Sequence, residues 1–130
     1  MTEHPNAARI RALYEIGSTG DMGAIAHAFD ENIEWNEPGR ASHARTHRGK
    51  AEVMAFFSRV IPGLDSFSIE LHDVLASDDH VVALVVYDHK RGNRRFHQLG
   101  TEVYHLNADG KITAFWALID DTAAFDEFFA

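Results

Sequence analysis

The sequence predicts an α+β fold, a curved antiparallel sheet with helices packed on its concave face, and three observations predict it. Four stretches carry apolar residues at helical spacing, and they fall before, between and after the β-prone runs. The β-prone runs follow one another through turn signals, Gly92-Asn93 and Asn107-Ala108-Asp109-Gly110, that read as antiparallel hairpins. The last run, Phe115-Trp116-Ala117-Leu118-Ile119, is apolar at consecutive positions. A strand apolar on both sides needs two covers, helices on one face of the sheet and a second subunit on the other.

The elements follow in order. Residues 7–16 carry Ile10, Leu13, Tyr14 and Ile16 at helical spacing, with Pro5 suited to a first turn, and Gly17-Ser18-Thr19-Gly20 ends the helix. Asp21 caps a short second helix with Met22, Ile25, Ala26 and Phe29 on one side. Residues 32–37 (NIEWNE) alternate, and Pro38-Gly39 closes that strand. Residues 40–48 (RASHARTHR) have no period and read as an exposed loop. Gly49 opens the clearest helix, with Val53, Phe56, Phe57, Val60 and Ile61 on its apolar face and Pro62-Gly63 at its end. Strands follow at 67–76, 80–89, 96–106 and 111–119, and Asp120 or Asp121 caps a final helix bearing Phe125, Phe128 and Phe129. The order is ααβαββββα in a single domain spanning 1–130. Helices inside a strongly curved sheet leave a pocket between them.

Composition narrows the function. The chain has 130 residues, 45% hydrophobic and 25% charged, as expected of a globular domain. A net charge of −8 argues against a nucleic-acid partner, which calls for a basic face. Without cysteine there is no disulfide, thiolate nucleophile or thiolate metal site. The opening residues lack the charged-then-apolar pattern of a secretory signal, and no run approaches the roughly 20 apolar residues of a membrane span. A cytoplasmic protein with no membrane partner is the expectation.

Several motifs occur together: Gly20-Asp21 before the second helix, the acid–proline pair Glu37-Pro38 after the first strand, and the ending Asp109-Gly110-Lys111-Ile112, Phe115-Trp116, Asp120-Asp121. In this order and spacing, over nearly the whole chain, they resemble the SnoaL-like branch of the nuclear transport factor 2-like (ketosteroid isomerase-like) superfamily. The resemblance implies a cone-shaped α+β barrel and a homodimer packed through the outer face of the sheet. It implies no single activity, because the superfamily holds ketosteroid isomerases, polyketide cyclases, epoxide hydrolases, dehydratases and members without catalysis.

Site candidates come from the residues and from the resemblance together. Glu37 stands where the similar steroid isomerases carry an Asp general base; near apolar Trp35 its pKa would rise and suit it to shuttle a proton between carbons. The plain alternative is a solvated Glu at a strand end. The resemblance puts Tyr14 near those enzymes' oxyanion phenol and Glu102 near their protonated second acid; otherwise Tyr14 is a core aromatic and Glu102 an ion-pair partner. Glu at both acid positions, in place of Asp, shifts the reach by about an ångström. By the same resemblance Asp120 or Asp121 is a cyclase-type acid, and by helix chemistry an N-cap. Trp35, Phe56, Tyr87, His89, Gln98, Tyr104 and Trp116 are candidates to contact a flat ligand, or to pack the interior.

The nine histidines raise the question of a metal. His43 and His47 are spaced i, i+4 but fall in the loop, and His97 and His105 lie about 26 Å apart along one strand. His89 and His97 flank the KRGNRR hairpin and could meet across it. No metal and no cofactor are expected. The basic residues Arg40, Arg45, Arg48, Lys50, Lys90, Arg91, Arg94 and Arg95 either pair with surplus acids or steer an anionic ligand to the opening. The expected function is a small-molecule pocket for an apolar or aromatic carbonyl compound, with cofactor-independent isomerisation, cyclisation or dehydration through Glu37. The alternative is a non-catalytic ligand-binding or dimerisation module. Epoxide hydrolysis would need an Asp–Arg–Asp set, for which no Arg can be placed.

Overall fold

In the computed structural model, residues 2–40 and 45–130 are described. Helix α1 (Pro5–Thr19) begins with Pro5, whose missing N–H is no loss in a first turn, and His4 Nδ1 accepts from Asn6 N at 3.1 Å. It ends on Gly20 at φ 76°, a left-handed cap that favours glycine. Asp21 caps α2 (Met22–His27) by accepting from Ala24 N at 3.0 Å. Strand β1 (Phe29–Asn36), the short β2 (Thr46–Arg48) and helix α3 (Lys50–Val60) follow, with a 3₁₀ turn at Ile61–Gly63. Then come β3 (Ser66–Ala76), β4 (His80–Arg91), β5 (Arg94–Leu106) and β6 (Ile112–Ile119). Helix α4 (Thr122–Phe129) closes the order, capped by Asp121, which accepts from Ala124 N at 3.0 Å.

One curved sheet runs β2-β1-β6-β5-β4-β3. Its junctions are antiparallel except β1–β6, which are parallel. Sequence reasoning gave the loop 40–48 no strand, yet Thr46, His47 and Arg48 pair with β1. His47 is wholly buried there, stacked on the Phe56 ring at 4.2 Å. Phe29, assigned from its spacing to the second helix, instead starts β1, buried against Trp35 and Phe57.

The two sheet faces differ. On β4, Val81, Ala83, Val85, Tyr87 and His89 are buried and point to the helices, while the residues between them are half-buried on the convex side. The convex side carries mostly apolar residues in cross-strand register: Leu75, Val82, Val103 and Trp116 in one row, then Leu84 and Leu118 on either side of Thr101, then Val86 and Leu99. Leu75, Leu99 and Leu118 are 55%, 69% and 58% exposed.

Candidate functional site

Between the concave face of the sheet and the helices lies a cavity of about 340 Å³. The period of two in a strand brings the key side chains to it. Trp35 and Glu37 share a face at the end of β1, Tyr87 and His89 on β4, Glu102 and Tyr104 on β5; all six line the cavity, as does Tyr14 from α1. Phe56, Phe57 and Phe115 form its wall and leave it open. Trp35 stacks on Phe115 with centroids 3.7 Å apart and planes within 13°.

Glu37 sits just past β1, held by its own N–H donating to Arg45 O at 3.1 Å. Trp35 Nε1 donates to Glu37 Oε1 at 2.7 Å. Part of its surface is reached through the cavity, yet protein surrounds the carboxylate. Burial pushes its pKa up to about 7; the Trp35 hydrogen bond opposes this and the charge of Glu102 adds to it. Near neutral pH the group is therefore divided between acid and base forms.

Glu102 is buried and caged by phenols. Tyr14 Oη donates to Oε1 at 2.5 Å, Tyr87 Oη to Oε2 at 2.8 Å, and Tyr104 Oη lies 3.4 Å from Oε1 and 2.9 Å from Tyr14 Oη. Burial raises the Glu102 pKa, and the three phenols draw it back. Burial and the neighbouring carboxylate raise all three phenols, so they stay neutral donors. Gly100 makes one of these contacts possible. It faces the Tyr87 ring so closely that an added Cβ would overlap Cε2, and only a residue without a side chain lets Tyr87 lean across β5 to Glu102. A glycine in the middle of a β-prone run was the available signal for this approach.

His89 is buried in the cavity wall, stacked on Phe67 with centroids 4.5 Å apart. Burial lowers its pKa to about 4, so it is a neutral imidazole at physiological pH. Ser68 N–H approaches its Nδ1 at 3.4 Å, which leaves the proton on Nε2.

Other candidates lie elsewhere. Asp121 is exposed and engaged as the α4 cap, and Gln98 accepts from Asp121 N at 3.0 Å. Asp120 is exposed at the end of β6, and neither Asp lines the cavity. Trp116, in register with Val103, is on the convex face against His105 at 4.8 Å. His97 lies on the outer face near Asp88, opposite in sense to His89, so the two do not meet in the cavity. His43 lies outside the described residues. Among the described residues no three His, Asp or Glu side chains converge in a way that could hold a metal ion. No helix among them is long and apolar enough to cross a membrane.

Comparison with known proteins gives a consistent picture. A family model described as a SnoaL-like domain matches residues 10–115. No curated protein matched in sequence. Bal32a, from a soil-derived mobile gene cassette, is 31% identical with a TM-score of 0.90, over 96% of both chains. TerC, co-crystallized with polyporic acid, is 22% identical with a TM-score of 0.83, over 96% of this chain and 98% of that one. RV0760c from Mycobacterium tuberculosis, in complex with estradiol-17beta-hemisuccinate, is 16% identical with a TM-score of 0.76, over 90% of this chain and 95% of that one.

Proposed function

The chain belongs to the SnoaL-like domain family, and from that premise we propose that it is a cofactor-independent enzyme that moves a proton between carbons of an apolar, carbonyl-bearing ligand. One observation carries the reading: a carboxyl with a pKa near 7, Glu37, shares an apolar cavity of about 340 Å³ with a second buried acid, Glu102. A general base works best when its pKa lies near the working pH. Trp35 occupies Oε1, and no protein hydrogen bond reaches Oε2 among the described residues, so Oε2 is the oxygen offered to a ligand. In the proposed step it takes a proton from the carbon beside the carbonyl. The C–H electron pair becomes a carbon–carbon double bond as the carbonyl π pair moves onto oxygen; in an isomerisation the carbonyl then re-forms and Glu37 returns the proton to another carbon. The Glu102–phenol group would stabilise the oxyanion in between. Isomerisation uses both halves of this step; cyclisation and dehydration share only the proton abstraction. In those two the enolate carbon attacks a second carbonyl, whose oxygen takes the proton, or expels a β-hydroxyl that leaves with the proton as water. That TerC and RV0760c are each seen with a ring-bearing ligand supports a ligand of similar kind here.

The experiment screens enones and polyketide-like ketones against the wild type and Glu37→Gln. The expected result is a loss of about 10²- to 10⁴-fold in turnover with binding little changed. Equal turnover would remove Glu37 as the base. A pocket that binds these ketones and turns over none supports the second reading, a ligand-binding module; the phenols already engaged with Glu102 favour it.

We also propose that a second copy of the chain covers the convex face. Its rows of Leu, Val and Trp include the exposed Leu75, Leu99 and Leu118, and exposed apolar patches of this kind mark interfaces. Leu99→Lys with Leu118→Lys should convert a dimer to a monomer in sedimentation analysis, while a wild type that sediments as a monomer would refute the pairing.

A further inference from the structure

Beside the cavity lies a second depression of about 350 Å³, bordered by Arg45, Arg59 and Arg91. The two adjoin across Val60 and Phe129, which line both. The three arginines come from separate elements: Arg45 just before β2, Arg59 from the last turn of α3, Arg91 from the end of β4. In a chain of net charge −8 their convergence calls for a reason, because like charges around one groove repel unless an anion lies among them.

Several other surface cations have acids, while Arg94 and Lys111 donate to backbone carbonyls. Arg95 pairs with Asp88 at 2.9 Å, Lys50 with Glu31 at 3.2 Å, and Arg48 with Glu34. Arg91 is fixed in place, donating to Phe128 O and Ala130 O at 2.7 Å each, with its Cζ 5.8 Å from the Phe128 ring centre. Arg45 and Arg59 meet no carboxylate and no side-chain acceptor among the described residues.

We infer that this groove is the anion subsite of the ligand site. The ligand is then amphipathic: an apolar ring body for the cavity, and a carboxylate or like anion reaching past Val60 and Phe129 to the guanidiniums. The inference rests on the cavity being the ligand site, as proposed above. A guanidinium presents paired N–H donors that match a carboxylate. Both free arginines are exposed, so water screens them, and each contributes about two- to fivefold in affinity. A nearby basic groove also offsets the repulsion an anion would meet from the acidic remainder of the protein.

The test titrates the full chain by calorimetry, at low salt, with naphthoylpropionic acid and with its methyl ester, which share one ring ketone and differ only in charge. The acid should bind the wild type about tenfold more tightly than the ester. In the double variant Arg45→Gln with Arg59→Gln, whose folding is checked by circular dichroism, that advantage should disappear while ester affinity holds. Added salt should weaken the acid alone. Equal binding of acid and ester to the wild type, or an advantage that survives the double variant, overturns the subsite and leaves the cavity reading intact. Binding of neither compound counts against the cavity and the subsite together.

Discussion

Replacing Glu37 by Gln tests whether burial holds a proton on this side chain. The unfolded chain releases the Glu37 proton near pH 4.5, whereas the folded protein keeps it to about pH 7. Between those values the unfolded state binds fewer protons, so stability falls as pH rises. At about 1.4 kcal/mol per pH unit the window removes about 3 kcal/mol, and all of that stability is present below pH 4.5. His89 acts with the opposite sign. Its folded pKa is lowered from 6.5 to about 4, so its contribution is present above pH 6.5 and lost as pH falls through 4. Glu102, whose pKa burial also raises, acts in the same sense as Glu37 and is present in both proteins, so the informative quantity is the difference between wild type and variant. Glutamine keeps the shape, and its carbonyl still accepts from Trp35 Nε1, but it cannot ionise. In urea unfolding from about pH 4 to about pH 8, at fixed protein concentration, the variant should match the wild type at the acid end. By the alkaline end it should be more stable by about 3 kcal/mol. Parallel curves for the two proteins across the range would refute the claim that this carboxyl is buried at the cost of stability.

Gly100→Ala puts a methyl group into the Tyr87 ring, and should cost about 1–3 kcal/mol as an overpacked site, with a changed near-ultraviolet circular dichroism signal. A loss under about 0.5 kcal/mol would mean that the Tyr87–Glu102 contact is not held as described. Asp121→Ala should lose about 1 kcal/mol with the α4 cap, whereas Asp120→Ala stays within about 0.5 kcal/mol of the wild type. Turnover of a substrate found by the screen should survive Asp120→Ala, and a large loss there would move the acid assignment to β6. Phe115→Ala removes the ring stacked on Trp35 and should destabilise by about 3–5 kcal/mol in urea unfolding, with altered Trp fluorescence.

Much of this fold is written locally. Asp21 and Asp121 cap helices because a short carboxylate at that position reaches the free N–H groups of the first turn, and Gly20 accepts the left-handed cap. The hairpins at Gly92-Asn93 and at Asn107 to Gly110 follow from turn chemistry, and the doubly apolar run at 115–119 announces a strand with a core on one side and an apolar convex face on the other. Local rules fail where the partner is remote. Nothing in residues 46–48 shows that they will pair with β1, nor that β1 will run parallel to β6 some eighty residues later, because pairing is a property of two segments. The same division holds for the site. Spacing and resemblance single out Glu37, Tyr14 and Glu102, but the bonds from Tyr14, Tyr87 and Tyr104 to one carboxyl exist only once α1, β4 and β5 meet. The pKa values likewise depend on how much water the closed fold removes. A residue's type and its period along an element reside in the sequence; desolvation, and which distant side chains a group faces, are decided by the tertiary structure alone.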